Sequence, residues 1–119
     1  MKRALLLLCA VVLLSPLSAF ANNIGEICYK YQRKDYSWSK AYKLTAQVVT
    51  GQEMVKATSN YTKYSSIYNY VIIQWNNGGY SALKANSWED SYSSLPSYYT
   101  NTKDQNGNTV KYMRGSYCY

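Results

Sequence analysis

The chain has 119 residues, with 15 tyrosines, three tryptophans, three cysteines and no histidine, and its formal net charge is +7. This length is too short for two independent hydrophobic cores, so one domain is expected. The absence of histidine excludes the usual general base, the Ser-His and Cys-His nucleophile pairs and the commonest zinc ligand, and with them most hydrolase mechanisms.

Residues 1–21 predict a cleavable secretory signal peptide. Two basic residues precede an apolar run from Ala4 to Leu14, and Ala19 and Ala21 are the small residues that signal peptidase needs before a cut at Asn22. The run is shorter than the roughly 20 apolar residues of a membrane-spanning helix, so no stable membrane insertion is expected. We therefore expect a secreted or periplasmic protein whose single mature domain is residues 22–119.

Two cysteines remain after removal of the signal peptide, Cys28 near the start of the mature chain and Cys118 at its end. In an oxidising compartment they predict one disulfide. Disulfide-linked Cα atoms lie roughly 6 Å apart, so the first and last strands should be neighbours.

Apolar and polar residues alternate from Tyr42 to Val48, which predicts a half-buried strand. Residues 37–49 also permit a short helix, but the strand is favoured. Thr50-Gly51 offers a turn, after which Met54 to Thr58 can return as a partner strand.

The segment Tyr68 to Trp75 is rich in aromatic and β-branched residues and predicts a strand. It runs into Asn77-Gly78, the preferred pair for a type I′ turn, so Tyr80 to Ala85 should fold back beside it. Asn106-Gly107 should likewise join strands at 99–103 and 109–114. Between the two hairpins, Asn86 to Ser97 is expected to be a long loop.

Five or six short strands joined by hairpin turns predict an all-β fold with room for one short helix. The expected architecture is a small antiparallel barrel or sandwich, with an SH3-like barrel among the options and with termini joined by one disulfide.

The mature part carries 11 basic and 6 acidic side chains, a net charge of +5. A net charge of this size favours solubility, and it can also attract an anionic partner. The basic residues are scattered, apart from Arg33-Lys34, so nucleic acid is not an expected partner.

Six carboxylates remain for acid and base chemistry. Glu89 and Asp90 are the least unsuitable glycosidase pair, but adjacent residues on an extended segment point apart. The stretch from Asp104 to Asn108 resembles the start of a calcium loop, although its glycine comes two places early and Gly115 stands where a glutamate is required. No catalytic residue, metal or cofactor is therefore expected.

The aromatic residues are the unusual feature, since all 15 tyrosines lie in the mature part. Tyrosine can replace aliphatic core residues when its hydroxyl reaches water, and with serine and asparagine it also forms recognition surfaces. The predicted loop and its end carry four aromatic residues among serines, which are the predicted ligand-binding residues: Trp88, Tyr92, Tyr98 and Tyr99.

These observations together predict a small exported, non-enzymatic binding protein that recognises a glycan, an anionic envelope polymer or a protein partner through this aromatic loop. The alternative is a protein that inhibits or neutralises an enzyme or toxin, or a host-directed effector.

Overall fold

A computed structural model describes residues 23–119 of the chain. The predicted signal peptide lies outside these residues. The domain consists of six strands, one α-helix and one short 3₁₀ helix, which are β1 (Ile24–Tyr31), β2 (Tyr42–Thr50), α1 (Gly51–Thr58), β3 (Asn69–Gln74), β4 (Tyr80–Ala85), the 3₁₀ helix (Tyr92–Ser94), β5 (Thr100–Lys103) and β6 (Thr109–Arg114). Within residues 23–119, no helix is long and apolar enough to cross a membrane.

The six strands form one antiparallel sheet in the order β4-β3-β2-β1-β6-β5. The sheet curls until its edge strands β4 and β5 approach each other. Thr102 Oγ1 of β5 donates to Lys84 O of β4 at 2.5 Å, and Gln105, in the turn after β5, accepts from Ala82 N and donates to Tyr80 O, both at 2.8 Å. The all-β prediction is confirmed, and the sheet is a nearly closed barrel.

The interior of the barrel is filled by every second residue of the strands, because side chains of a strand alternate between its two faces. Leu95, from the segment that connects β4 to β5, also packs into this core and is 2 % exposed. The strand residues of the inner core are Ile27, Tyr29, Ala46, Val48, Val71, Ile73, Leu83, Ala85, Val110 and Tyr112.

A second core lies on the outer face of β2, β3 and β4, beneath α1. Met54 of the helix packs there with Tyr64, Tyr70 and Ile72. The Tyr64 and Tyr80 hydroxyls form a hydrogen bond with each other. Burying tyrosine rings on this face is possible because their hydroxyls bond to one another or to the backbone.

The prediction that Met54 to Thr58 forms a strand is wrong, because these residues belong to α1. Thr50 and Glu53 form a capping box at its start: Thr50 Oγ1 accepts from Glu53 N at 3.1 Å, and Thr50 N donates to Glu53 Oε1 at 2.8 Å. The chain can turn into the helix at this point because Gly51 has no side chain. A Cβ there would lie 2.1 Å from Ser65 O.

The strands of both predicted hairpins are confirmed, but the predicted type I′ turns are wrong. Gly78 has φ 90°, whereas Asn77 is not at positive φ, and a type I′ turn needs positive φ at both central residues. Trp75 N donates to Gly79 O at 2.9 Å, so the loop contains three residues. A type I turn followed by a left-handed glycine describes it.

Cys28 and Cys118 form the predicted disulfide, with a Cα–Cα distance of 5.3 Å. The first and last strands are neighbours, as predicted, since β1 pairs with β6. Disulfides persist in oxidising environments and are rare in reducing ones, so this bond is typical of a protein outside the cytoplasm.

Candidate functional site

The four predicted ligand-binding residues occupy different environments. Trp88 and Tyr98 are 69 % and 68 % exposed. Tyr92 and Tyr99 are partly buried. None of the ring pairs in the described part of the chain joins two of these four residues, so no aromatic cluster of the four is observed.

Tyr92 contributes to the fold. Its ring lies against Gly25, where a Cβ would come within 2.3 Å of it, and it packs on the inner core. Its hydroxyl donates to Glu26 O at 2.5 Å. The ring therefore links the 3₁₀ helix to β1, and a role of Tyr92 in binding stays a prediction.

Tyr99 belongs to a group of basic and aromatic side chains on the outer face of β1 and β6. Lys30 Nζ lies 4.8 Å from the centroid of the Tyr99 ring, and Lys111 Nζ lies 4.3 Å from that of Trp38 and 5.3 Å from that of Tyr99. All four side chains are partly exposed. We call Lys30, Lys111, Trp38 and Tyr99 the lysine–aromatic face.

Strand register brings the two lysines together. Tyr29 and Tyr112 point into the barrel, so Lys30 and Lys111, one position away, point outward. Lys30 and Lys111 are also direct partners across the β1–β6 pair. Like charges at directly opposed positions are unfavourable, and contacts with ring faces offset part of this cost.

The loop between β1 and β2 holds Trp38 beside Lys111. Gln32 and Trp38 form an isolated antiparallel bridge, and Ser39 N donates to Tyr31 O at 2.8 Å. Arg33 Nη1 donates to Trp38 O at 2.5 Å. The loop thus folds back along the end of β1 and positions the Trp38 backbone, while the Trp38 ring lies beside Lys111.

The electrostatic character of this face is positive. Within residues 23–119 the ion pair observed is Lys43 with Glu26 at 3.9 Å, and no carboxylate lies within 4 Å of Lys30 or Lys111. The segment 30–43 adds further basic side chains, with Asp35 as its one acidic residue. The Asp35 carboxylate is engaged by Ser37, whose hydrogen bonds hold the pKa of Asp35 below its usual value.

Of the two carboxylates weighed for catalysis, Glu89 has structural partners, whereas Asp90 is exposed and its side chain forms no hydrogen bond within residues 23–119. Glu89 Oε1 accepts from Asn86 N at 2.8 Å and from the Tyr112 hydroxyl at 3.0 Å, and the Glu89 side chain is buried. These two hydrogen bonds give the buried Glu89 side chain a structural role that requires no substrate.

Asp104 closes the second Asn-Gly turn. Its Oδ1 accepts from Asn106 N and Asn108 N, both at 2.9 Å. Gly107 has φ 82° and Asn106 is not at positive φ, so the type I′ prediction is wrong here too. The hairpin explains the residues that resemble a calcium loop.

The sequence reasoning missed the lysine pair, although a signal for it was present. The predicted disulfide already made the first and last strands neighbours, and alternation placed Lys30 and Lys111 on the face opposite the core residues Tyr29 and Tyr112. The sequence did not give the exact pairing register of β1 and β6. A shift of one residue in this register would move every side chain of a strand to the opposite face of the sheet.

No protein-family model matches the chain, and comparisons with curated proteins and with solved structures found no match. The SH3-like option therefore stays a prediction.

Proposed function

We propose that this is an exported, non-enzymatic binding protein that holds an anionic polymer, such as an acidic glycan of a cell envelope, against the lysine–aromatic face. The observation that carries the proposal is the directly opposed pair of Lys30 and Lys111, with no carboxylate within 4 Å of either Nζ in the described residues. An acidic group placed between the two ammonium groups would relieve their repulsion.

The aromatic members of the face support a sugar-containing polymer. Trp38 and Tyr99 are partly exposed and contact neighbours, since Lys111 Nζ lies 4.3 Å from the centroid of the Trp38 ring and the Tyr99 hydroxyl donates to Tyr119 O at 3.1 Å. Rigid aromatic rings offer contact area at low entropic cost. Rings beside cations suit a chain that carries both flat sugar faces and negative groups.

The test uses the oxidised protein, purified after export, and three immobilised probes: heparin, polygalacturonate and neutral dextran. We expect salt-sensitive retention on the two acidic polymers and none on dextran, because exposed charge contacts are screened by salt. The Lys30→Gln/Lys111→Gln variant should bind the acidic probes roughly 5- to 30-fold more weakly, from two exposed ion contacts.

The matched control is Lys56→Gln/Lys63→Gln, which removes the same charge from two exposed positions away from the face. It should retain most of the affinity. Equal weakening by both double variants would mean that net charge alone attracts the polymer, and the proposal would be wrong.

Two further variants examine the aromatic loop. Trp88→Ala and Tyr98→Ala remove its two most exposed rings, and a loss of affinity would extend the binding surface to the loop. Recovery of one salt-resistant, stoichiometric protein partner, with no retention on acidic polymers, would favour the inhibitor alternative.

A further inference from the structure

A cavity of about 510 Å³ opens at the end of the barrel where both Asn-Gly turns lie. This volume falls within the roughly 300–1,000 Å³ that is typical of small-molecule sites, and the mouth of a barrel is a frequent place for them. Its walls combine aromatic rings with amide side chains. We call it the barrel mouth and define it by Tyr29, Tyr31, Trp75, Asp104, Asn106 and Asn108.

Tyr29 lines the mouth from the inner face of β1. The residue as a whole is only 6 % exposed, but its hydroxyl is not among the fully buried atoms without a hydrogen-bond partner in residues 23–119, where Gln47 Nε2 is the one found. Burial and the nearby Asp104 carboxylate raise the pKa of Tyr29 to about 12, so the hydroxyl keeps its proton. The hydroxyl therefore faces the open cavity, where it is available to hydrogen-bond a ligand.

The rings of the mouth are held in place. Trp75 meets Tyr29 edge to face, with centroids 5.7 Å apart, and its Nε1 donates to Ser81 Oγ at 2.8 Å. Tyr31 is 39 % exposed and stacks on Tyr42 with centroids 6.3 Å apart. Fixed rings at an open cavity provide flat apolar faces without further ordering cost.

The polar rim suits a neutral ligand with many hydroxyls. Asp104 is the one charged residue that lines the mouth, and no lysine or arginine does so among the described residues. An anion would therefore be repelled. Asn106 and Asn108 present amides, which can both donate and accept hydrogen bonds, although Asn108 Nδ2 already donates to Asp104 Oδ2 at 3.1 Å.

We propose that the barrel mouth binds one neutral sugar ring, which stacks on the aromatic wall and takes its deepest hydrogen bond from the Tyr29 hydroxyl. This site is separate from the lysine–aromatic face and does not depend on the proposed polymer binding. A pyranose offers both an apolar face and hydroxyl groups, and the mouth offers both aromatic rings and amides. For a ligand of this size, Kd is expected near 1 mM.

The test is NMR titration of the oxidised protein with the methyl glycosides of glucose, galactose, mannose and N-acetylglucosamine. We expect at least one of them to shift the Trp75 indole N–H signal, with saturation below about 50 mM. Glucuronic acid, a negatively charged counterpart, should not bind. Absence of any shift with all four glycosides would overturn the proposal.

Tyr29→Phe is the decisive variant. It keeps the ring and removes a hydroxyl that has no partner in the described structure, so the free energy of unfolding should be nearly unchanged. Affinity for the glycoside should fall about two- to tenfold, the usual effect of one lost neutral hydrogen bond. Tyr61→Phe, at an 82 % exposed position outside the mouth, is the matched control and should bind normally.

Asn106→Ala provides a second test at the rim, where the side chain is exposed and forms no hydrogen bond within residues 23–119. It should also weaken glycoside binding about two- to tenfold. Unchanged affinity in both Tyr29→Phe and Asn106→Ala would place any sugar elsewhere and contradict the assignment. Lys30→Gln/Lys111→Gln should leave glycoside binding intact, which separates this proposal from polymer binding.

Discussion

The Tyr112 hydroxyl donates a hydrogen bond of 3.0 Å to Glu89 Oε1, and both side chains are buried. Tyr112 belongs to β6 and Glu89 to the segment that connects β4 to β5, so this bond fixes the connecting segment to the barrel. We predict that Tyr112→Phe lowers the free energy of unfolding by about 1–3 kcal/mol, because the Glu89 carboxylate stays buried with one partner fewer.

Chemical denaturation of the purified protein measures this change. Tyr36→Phe is a suitable control, since Tyr36 is 79 % exposed. Equal stability of Tyr112→Phe and the unmodified protein would show that Glu89 finds another donor.

Alkaline pH should destabilise the domain. Burial raises the pKa of Tyr29 to about 12, burial and the Tyr80 hydroxyl raise that of Tyr64, and burial and Glu89 raise that of Tyr112. Unfolded tyrosines ionise near pH 10, so above that pH the unfolded state binds fewer protons than the folded state. Stability is therefore full below about pH 10 and falls above it, by up to about 1.4 kcal/mol per pH unit for each such tyrosine.

Chemical denaturation curves recorded from pH 8 to about 11.5 measure how steeply the free energy of unfolding falls with pH. Tyr29→Phe should reduce the slope of the free energy of unfolding against pH by about the contribution of one tyrosine. A stability that is constant across this range would contradict the burial of these hydroxyls in their neutral form.

Removal of the disulfide should cost much of the stability of so small a domain. Cys28 and Cys118 are separated by 90 residues, and closing a loop of that size is worth about 4–5 kcal/mol as an upper estimate. We expect Cys28→Ser/Cys118→Ser to unfold at a much lower denaturant concentration. Reductant should destabilise the unmodified protein to the same level and leave the double variant unaffected.

The capping box of α1 offers a local test. Thr50→Ala removes the acceptor for Glu53 N and should lower the free energy of unfolding by about 1 kcal/mol. Gln52→Ala, at an exposed position of the same helix, should change it little. Equal effects from the two substitutions would mean that helix propensity, not the cap, controls this segment.

Tyr92 and Tyr98 should respond differently to loss of the hydroxyl. Tyr92→Phe removes the bond to Glu26 O and should reduce stability by about 0.5–1.5 kcal/mol. Tyr98 is 68 % exposed, so Tyr98→Phe should have no measurable effect on unfolding. Thermal unfolding of the two variants side by side distinguishes a residue of the fold from a residue available to a ligand.

Much of the fold was predictable because its signals are local. Alternation from Tyr42 to Val48 specified β2, and the two Asn-Gly pairs specified both hairpins. The strand predicted at Met54 to Thr58 was wrong although the capping box, a threonine followed three residues later by a glutamate, was present at Thr50 and Glu53. That short-range pattern predicts a helix start.

The candidate sites were less predictable. The loop hypothesis selected Tyr99 for its composition, and the structure places that residue beside Lys30 and Lys111. Tyr92 is likewise an aromatic residue among serines, yet its ring packs on Gly25. Composition cannot separate these two environments, because each depends on which strand lies beneath the ring.

The amino-acid order decided β2, the strands of both hairpins, the disulfide and the tyrosine-rich character, since periodicity, the two cysteines that follow the predicted signal peptide and residue counts require no knowledge of distant contacts. The tertiary structure decided that Lys30 faces Lys111, that Gln105 joins the barrel edges and that the Tyr29 hydroxyl enters an open cavity. These features depend on strand register and sheet curvature. Both arise only when segments far apart in the chain pack together.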